Sequence, residues 1–163
     1  MSAATGVEVR VATVADAPLI LSFIRELAVY ERMLDEVEAT EADIRRDLFG
    51  ENPRSFCEIA EFGGKPVGFA LWFYNYSTFR GRAGIYLEDL FVRTEARGVG
   101  AGRALLAKLA RRCVDAELGR LEWAVLNWNR PSIEFYDSLG ASAKTEWTVR
   151  RLDGEALARL ADS

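Results

Sequence analysis

The chain has 163 residues, of which 21 are basic and 25 acidic, for a net charge of −4; this length falls within the roughly 100–200 residues of one domain, so a single domain over residues 1–163 is expected. Acids and bases alternate without forming blocks, which argues against a nucleic-acid or anionic-membrane surface and suits a cationic or amine substrate. There is no histidine, which removes Ser-His and Cys-His dyads and His-containing zinc sites, so catalysis must draw on carboxylates, tyrosine, lysine, arginine or the backbone, and no metal is called for.

At the amino end, Met1 to Glu8 lacks a basic segment followed by an apolar run, and nowhere do about 18 apolar residues follow one another. A cytoplasmic protein is expected. Val7 to Val14 alternates as a short strand, and Asp16-Ala17-Pro18 marks a helix start with proline in the first turn. Ile20, Phe23, Ile24, Leu27 and Ala28 recur at helical spacing, which places Tyr30 and Glu31 at the helix's carboxyl end. Thr40 with Asp43 three residues later predicts a capping box opening a second helix that ends near Gly50 or Pro53.

The period then changes. Phe56 to Phe62, a turn at Gly63-Gly64-Lys65-Pro66, and Val67 to Tyr76 read as an antiparallel hairpin rich in aromatic and β-branched residues. A polar loop containing Ser77, Thr78, Gly81 and Gly84 follows, then a strand from Ile85 to Val92. After Arg97 a glycine-rich stretch enters a helix carrying Ala104, Leu105, Leu109 and Cys113 and stopping near Gly119. Leu121 to Leu126 reads as a strand, Pro131 to Leu139 as a short helix closed by Gly140, Glu146 to Leu152 as a last strand, and a small helix starts at Glu155. This order predicts a mixed α/β sheet with helices on its faces and right-handed crossovers. Cys57 and Cys113 lie far apart and outside any Cys-x-x-Cys pattern, so both are expected in the core.

The chemistry concentrates first in Arg97-Gly98-Val99-Gly100-Ala101-Gly102-Arg103. Three alternate glycines let the backbone approach a ligand, and the unpaired amides of the following helix offer a site for a phosphate or pyrophosphate. The spacing is neither a dinucleotide fingerprint, since Arg103 stands where a third glycine would be needed, nor a Walker loop. A tight turn alone would also use such glycines, but would gain little from Arg97, whose fixed positive charge suits an anion.

After a strand, Arg97-x-x-Gly100-x-Gly102 resembles the acetyl-CoA loop of the GNAT superfamily of N-acetyltransferases. Asn129-Arg130-Pro131-Ser132 leading into Phe135-Tyr136-x-x-Leu139-Gly140 is similar to the superfamily's second CoA-side helix. More narrowly, Tyr86-Leu87-Glu88-Asp89, the Arg97 loop, Trp128-Asn129, Tyr136 and, near the amino end, Glu26-Leu27-Ala28 with Tyr30-Glu31 resemble the diamine (spermidine/spermine) and thialysine N-acetyltransferase group. The resemblance covers nearly the whole chain. It implies an α/β GNAT fold, a central mixed twisted sheet flanked by helices whose splayed strands hold acetyl-CoA.

By that resemblance, the amides from Gly98 through Val99, Gly100, Ala101 and Gly102 to Arg103 hold the CoA pyrophosphate. The backbone of Leu90, Phe91 and Val92 pairs with pantetheine as though with an added strand, and Asn129, Arg130, Pro131 and Ser132 touch the cofactor's far side. Tyr136 is then the general acid for the departing thiolate; a phenol near pKa 10 and a thiol near 8.5 are reasonably matched. Glu88 faces the amine. An alkylammonium is neutral in roughly one molecule in 2,500 at pH 7, so a carboxylate must bind it and take its proton directly or through water. Glu88 and Asp89, adjacent on a strand, should point to opposite faces, with Asp89 structural.

Tyr30 and Glu31 would line the acceptor pocket. Ser77-Thr78 resembles the thialysine-acetylating members, whereas polyamine-directed members carry an acid in this loop, so a short amine or amino-acid side chain is favoured over a long polycation. An extra residue between Arg82 and Tyr86 departs from the family pattern. The resemblance also implies a homodimer. Rival readings are acetylation of a peptide, protein or aminoglycoside, and a non-catalytic acyl-CoA-binding module; the absence of a histidine or well-placed cysteine argues against a covalent acetyl-enzyme.

Overall fold

Strand β1 (Val7–Val11) is the first element of the computed structural model, which describes residues 6–163. Its chain turns through Val14–Asp16 into α1 (Ala17–Tyr30), and Pro18 occupies the first helical turn as expected. Asp16 closes this turn. Its carboxylate accepts from the Thr13 amide at 2.7 Å and from both terminal nitrogens of Arg10 at 2.8 and 2.9 Å. The Arg10 hydrogen bonds hold the Asp16 carboxyl down at about 2. Helix α2 (Glu41–Phe49) carries the predicted capping box: Thr40 Oγ1 accepts from the Asp43 amide, and the Asp43 carboxylate accepts from the Thr40 amide.

Strands β2 (Phe56–Phe62) and β3 (Lys65–Ser77) form the predicted hairpin. Its two-residue turn, Gly63-Gly64, has φ of 58° and 75°, the mirror-image turn geometry whose twist matches that of paired strands. Strand β4 (Arg82–Val92) then pairs antiparallel with β3. Gly84, expected in a loop, lies inside β4: a Cβ there would stand 2.8 Å from Asn75 Oδ1 and 2.9 Å from the Arg120 carbonyl. The glycine is selected by close approach of neighbouring chain and not by a turn.

Helix α3 (Ala101–Asp115) is the crossover that returns the chain to β5 (Leu121–Trp123), which pairs parallel with β4. The sheet order is β1-β2-β3-β4-β5. Side chains alternate across it. On one face Phe69 stacks against Phe23 of α1 with ring centres 5.3 Å apart, and Phe91 meets Phe23 edge-on. On the other face Trp72 lies under Arg112 of α3. The two free cysteines are buried, and burial pushes both thiols up.

Residues 6–124 make one compact unit, and residues 125–163 a second. The second contains α4 (Arg130–Ser138) and α5 (Gly154–Ala161). Gly140, with φ of 84°, follows α4 as its predicted stop. Two further expectations are corrected. The strand predicted to reach Leu126 ends at Trp123, because the chain turns there and the Asn129 amide donates back to the Leu126 carbonyl at 2.9 Å. Residues 146–152 form no strand: alternation supplies a pattern, but pairing needs a neighbour, and Trp147 and Val149 stay exposed. Among the described residues no helix is long and apolar enough to cross a membrane.

Candidate active site

The sheet opens at β4. Its parallel ladder with β5 covers only Ile85, Tyr86 and Leu87, opposite Leu121, Glu122 and Trp123. Beyond Leu87, β4 continues to Val92 paired with β3 alone. The segment 88–92, which includes Leu90, Phe91 and Val92, thus has backbone groups that face no strand on the β5 side among the described residues. An extended ligand with alternating amide groups could add itself there as a strand does.

The opening leads to the glycine loop. Gly98 and Gly100 have φ of 89° and 90°, a region that residues with a Cβ rarely enter. Gly100 caps α3 without any side-chain hydrogen bond, so the first-turn amides, including those of Ala101, Gly102 and Arg103, are left to an outside acceptor. The positive end of a helix of 15 residues adds to their attraction for an anion. Apart from its two chain neighbours, no described residue comes within 4 Å of where a Cβ on Gly98 would stand. Open strand edge, open loop and uncapped helix suit a pantetheine arm ending in a pyrophosphate.

Arg97 flanks these amides. Its guanidinium lies over the Tyr30 ring, 4.8 Å from the ring centre, and its Nε donates to the Val92 carbonyl at 3.4 Å. Tyr30, the last residue of α1, is therefore joined to the loop.

The carboxylates gather on β4 and at the end of α1. The β3–β4 register slips between Leu71 and Trp72: Leu87 faces Trp72 and Asp89 faces Leu71, which leaves Glu88 as an extra residue. A bulge of this kind can re-aim a side chain, and the two neighbouring carboxylates differ in burial, with Glu88 the more exposed. Glu88 is exposed. Asp89 is pushed up to about 7, chiefly by burial and then by the charges of Glu88 and Glu31. Burial also raises the Glu31 carboxyl. The most strongly perturbed acid of the three is Asp89, the residue expected from its place beside Glu88 to be structural. Burial, the signal that distinguishes it, is not written in a Glu-Asp pair.

Ser77 and Thr78 are not brought to these carboxylates. Ser77 pairs with Arg82, six residues before Glu88, or roughly 20 Å along a strand. Ser77 is buried and its hydroxyl accepts from the Arg80 amide at 3.3 Å, closing the β3–β4 turn.

In residues 125–163, Asn129 caps α4 by accepting from the Ser132 amide at 3.4 Å, with Pro131 in the first turn and Arg130 paired to Glu134 at 3.0 Å. The Tyr136 ring lies tilted against Phe135, centres 5.5 Å apart. No cluster of three or more His, Cys, Asp or Glu side chains fit to hold a metal occurs among the described residues.

Residues 21–141 match the model of the acetyltransferase (GNAT) family. The chain is 40% identical over 166 residues to a thialysine N-epsilon-acetyltransferase of Bos taurus, covering 95% of this chain and 97% of that one. It is 30% identical to an L-ornithine N5-acetyltransferase of Arabidopsis thaliana, covering 91% of this chain and 85% of the relative. Among solved structures, an integron cassette protein from V. cholerae superposes with a TM-score of 0.80 at 29% identity, over 97% of this chain and 99% of that one. With its matched residues, its mixed sheet and these relatives, the chain belongs to the GNAT family of acetyltransferases.

Proposed function

We propose that this enzyme moves the acetyl group of acetyl-CoA to the terminal amine of a small acceptor of the thialysine or ornithine kind, by direct attack while both substrates are bound. The observation that carries this reading is the continuity from the carboxylates at Glu88 and Asp89, along the open edge of β4, to the uncapped amides of α3. The relatives named for thialysine and ornithine support the acceptor class, since both compounds join a short side-chain amine to an α-amino acid.

In this reading Leu90, Phe91 and Val92 offer backbone groups to pantetheine, and the amides from Gly98 to Arg103, with Arg97, hold the pyrophosphate. Glu88 binds the ammonium and takes its proton. Asp89, titrating near neutrality, is suited to hold that proton while the amine attacks. Glu31 adds negative charge for a second ammonium. Tyr136 returns a proton to the thiolate that leaves, and Asn129, Arg130, Pro131 and Ser132 belong to the cofactor's far side. One domain over residues 1–163, acting as a cytoplasmic homodimer, completes the reading, as the family resemblance implies.

The test is thiol release from acetyl-CoA at pH about 8, with thialysine, ornithine, lysine, putrescine, spermidine, short peptides and an aminoglycoside as acceptors. Selective turnover of thialysine or ornithine is the expected result. Preference for spermidine, peptides or the aminoglycoside overturns the acceptor class. Stabilisation by CoA without turnover of any amine supports a binding module instead.

A further inference from the structure

Arg97 is held at its Nε and against the Tyr30 ring, with its two terminal nitrogens left over. Its guanidinium lies 4.8 Å over the Tyr30 ring and its Nε reaches the Val92 carbonyl, yet neither terminal nitrogen donates to any acceptor among the described residues. A cation–π contact takes up none of the N–H groups of a guanidinium, so both terminal nitrogens stay available for a two-pronged grip on a phosphate. An arginine on an exposed loop otherwise samples many rotamers and loses that freedom on binding.

We propose that Tyr30 is a positioning residue for the cofactor: its ring fixes the plane of Arg97, so that the arginine meets the CoA pyrophosphate already oriented. This rests on the reading of the loop as the pyrophosphate site. It moves Tyr30 from the acceptor pocket to the cofactor side. The end of α1 then serves both substrates through consecutive residues, Tyr30 through Arg97 for the acyl donor and Glu31 for the amine.

The test compares dissociation constants for CoA and for S-acetylpantetheine, which has no phosphate, in the unaltered enzyme, Tyr30→Leu, Tyr30→Phe, Arg97→Ala and Tyr30→Leu/Arg97→Ala. Tyr30→Leu should weaken CoA about two- to fivefold, the range of an exposed cation–π contact. It should leave S-acetylpantetheine unchanged, and Tyr30→Phe, which keeps the ring, should restore CoA affinity. In the Arg97→Ala background Tyr30→Leu should have no further effect, because the partner it positions is gone. A loss of equal size in that background, equal weakening of both ligands, or a Tyr30→Phe as weak as Tyr30→Leu overturns the proposal. Failure of the unaltered enzyme to bind CoA, by contrast, overturns the reading of the loop itself.

Discussion

Arg112 of α3 donates from Nε to the Glu58 carboxylate on β2 at 2.7 Å. Glu58 is only 1% exposed, and the Trp72 indole N–H donates to its other oxygen. The ion pair therefore ties the helix that begins at the glycine loop to the centre of the sheet. Removing one member of such a pair leaves a buried charge without its counterion. Arg112→Met should lower unfolding stability by about 3 kcal/mol, whereas Glu58→Leu/Arg112→Met should recover much of the loss. Urea unfolding of the three proteins checks both.

Gly100 holds φ at 90° where the loop meets α3. A Cβ at this angle strains the backbone by about 1–3 kcal/mol, and relief would turn the first-turn amides away from the anion. Gly100→Ala should raise the KM for acetyl-CoA about tenfold, the equivalent of 1.4 kcal/mol, with a smaller change in the KM for the amine. Steady-state kinetics with each substrate varied in turn will tell.

Asp89 gives stability a definite pH dependence. Its carboxyl, raised from 3.8 to about 7 mainly by burial, binds more proton in the folded than in the unfolded protein between those values. Stability should therefore fall as pH rises from about 4 to 7 and level off above, at about 1.4 kcal/mol for each unit of pKa difference. Asp89→Asn should flatten this trend and melt higher than the unaltered protein at pH 8, with a smaller difference at pH 5. Melting curves from pH 4 to 9 provide the comparison.

Tyr136→Phe keeps the ring that packs against Phe135 and removes only the hydroxyl. If this phenol protonates the leaving thiolate, kcat should drop about 10²-fold while the dissociation constant for CoA holds. Unchanged kcat would exclude it as the acid.

The parts legible in the sequence were those set by neighbouring residues. The Thr40–Asp43 box and the glycines before α3 each encode one local backbone geometry, and the structure bears them out; the turn expected over Gly63-Gly64-Lys65-Pro66 is there but shorter, with Lys65 and Pro66 already in β3. Contacts between distant segments were not legible. The slip that makes Glu88 an extra residue depends on how β3 meets β4, and the burial of Asp89 depends on what packs above it. Tyr30 and Arg97 are 67 positions apart, and no periodicity joins them. Residues 146–152 mark the opposite case, an alternating pattern without a pairing neighbour.

The edge of residues 88–92 on the β5 side, which pairs with no strand among the described residues, also bears on how the enzyme survives between turnovers. A row of free amide and carbonyl groups invites any extended chain, including an unfolding neighbour, to attach. Negative charge set along such an edge is a common deterrent, and the exposed Glu88 supplies it at the start of this segment. If Glu88 takes the proton of the amine, as proposed, the same carboxylate doubles as a gatekeeper, and enzyme stored without CoA should aggregate sooner when Glu88 is made neutral by Glu88→Gln.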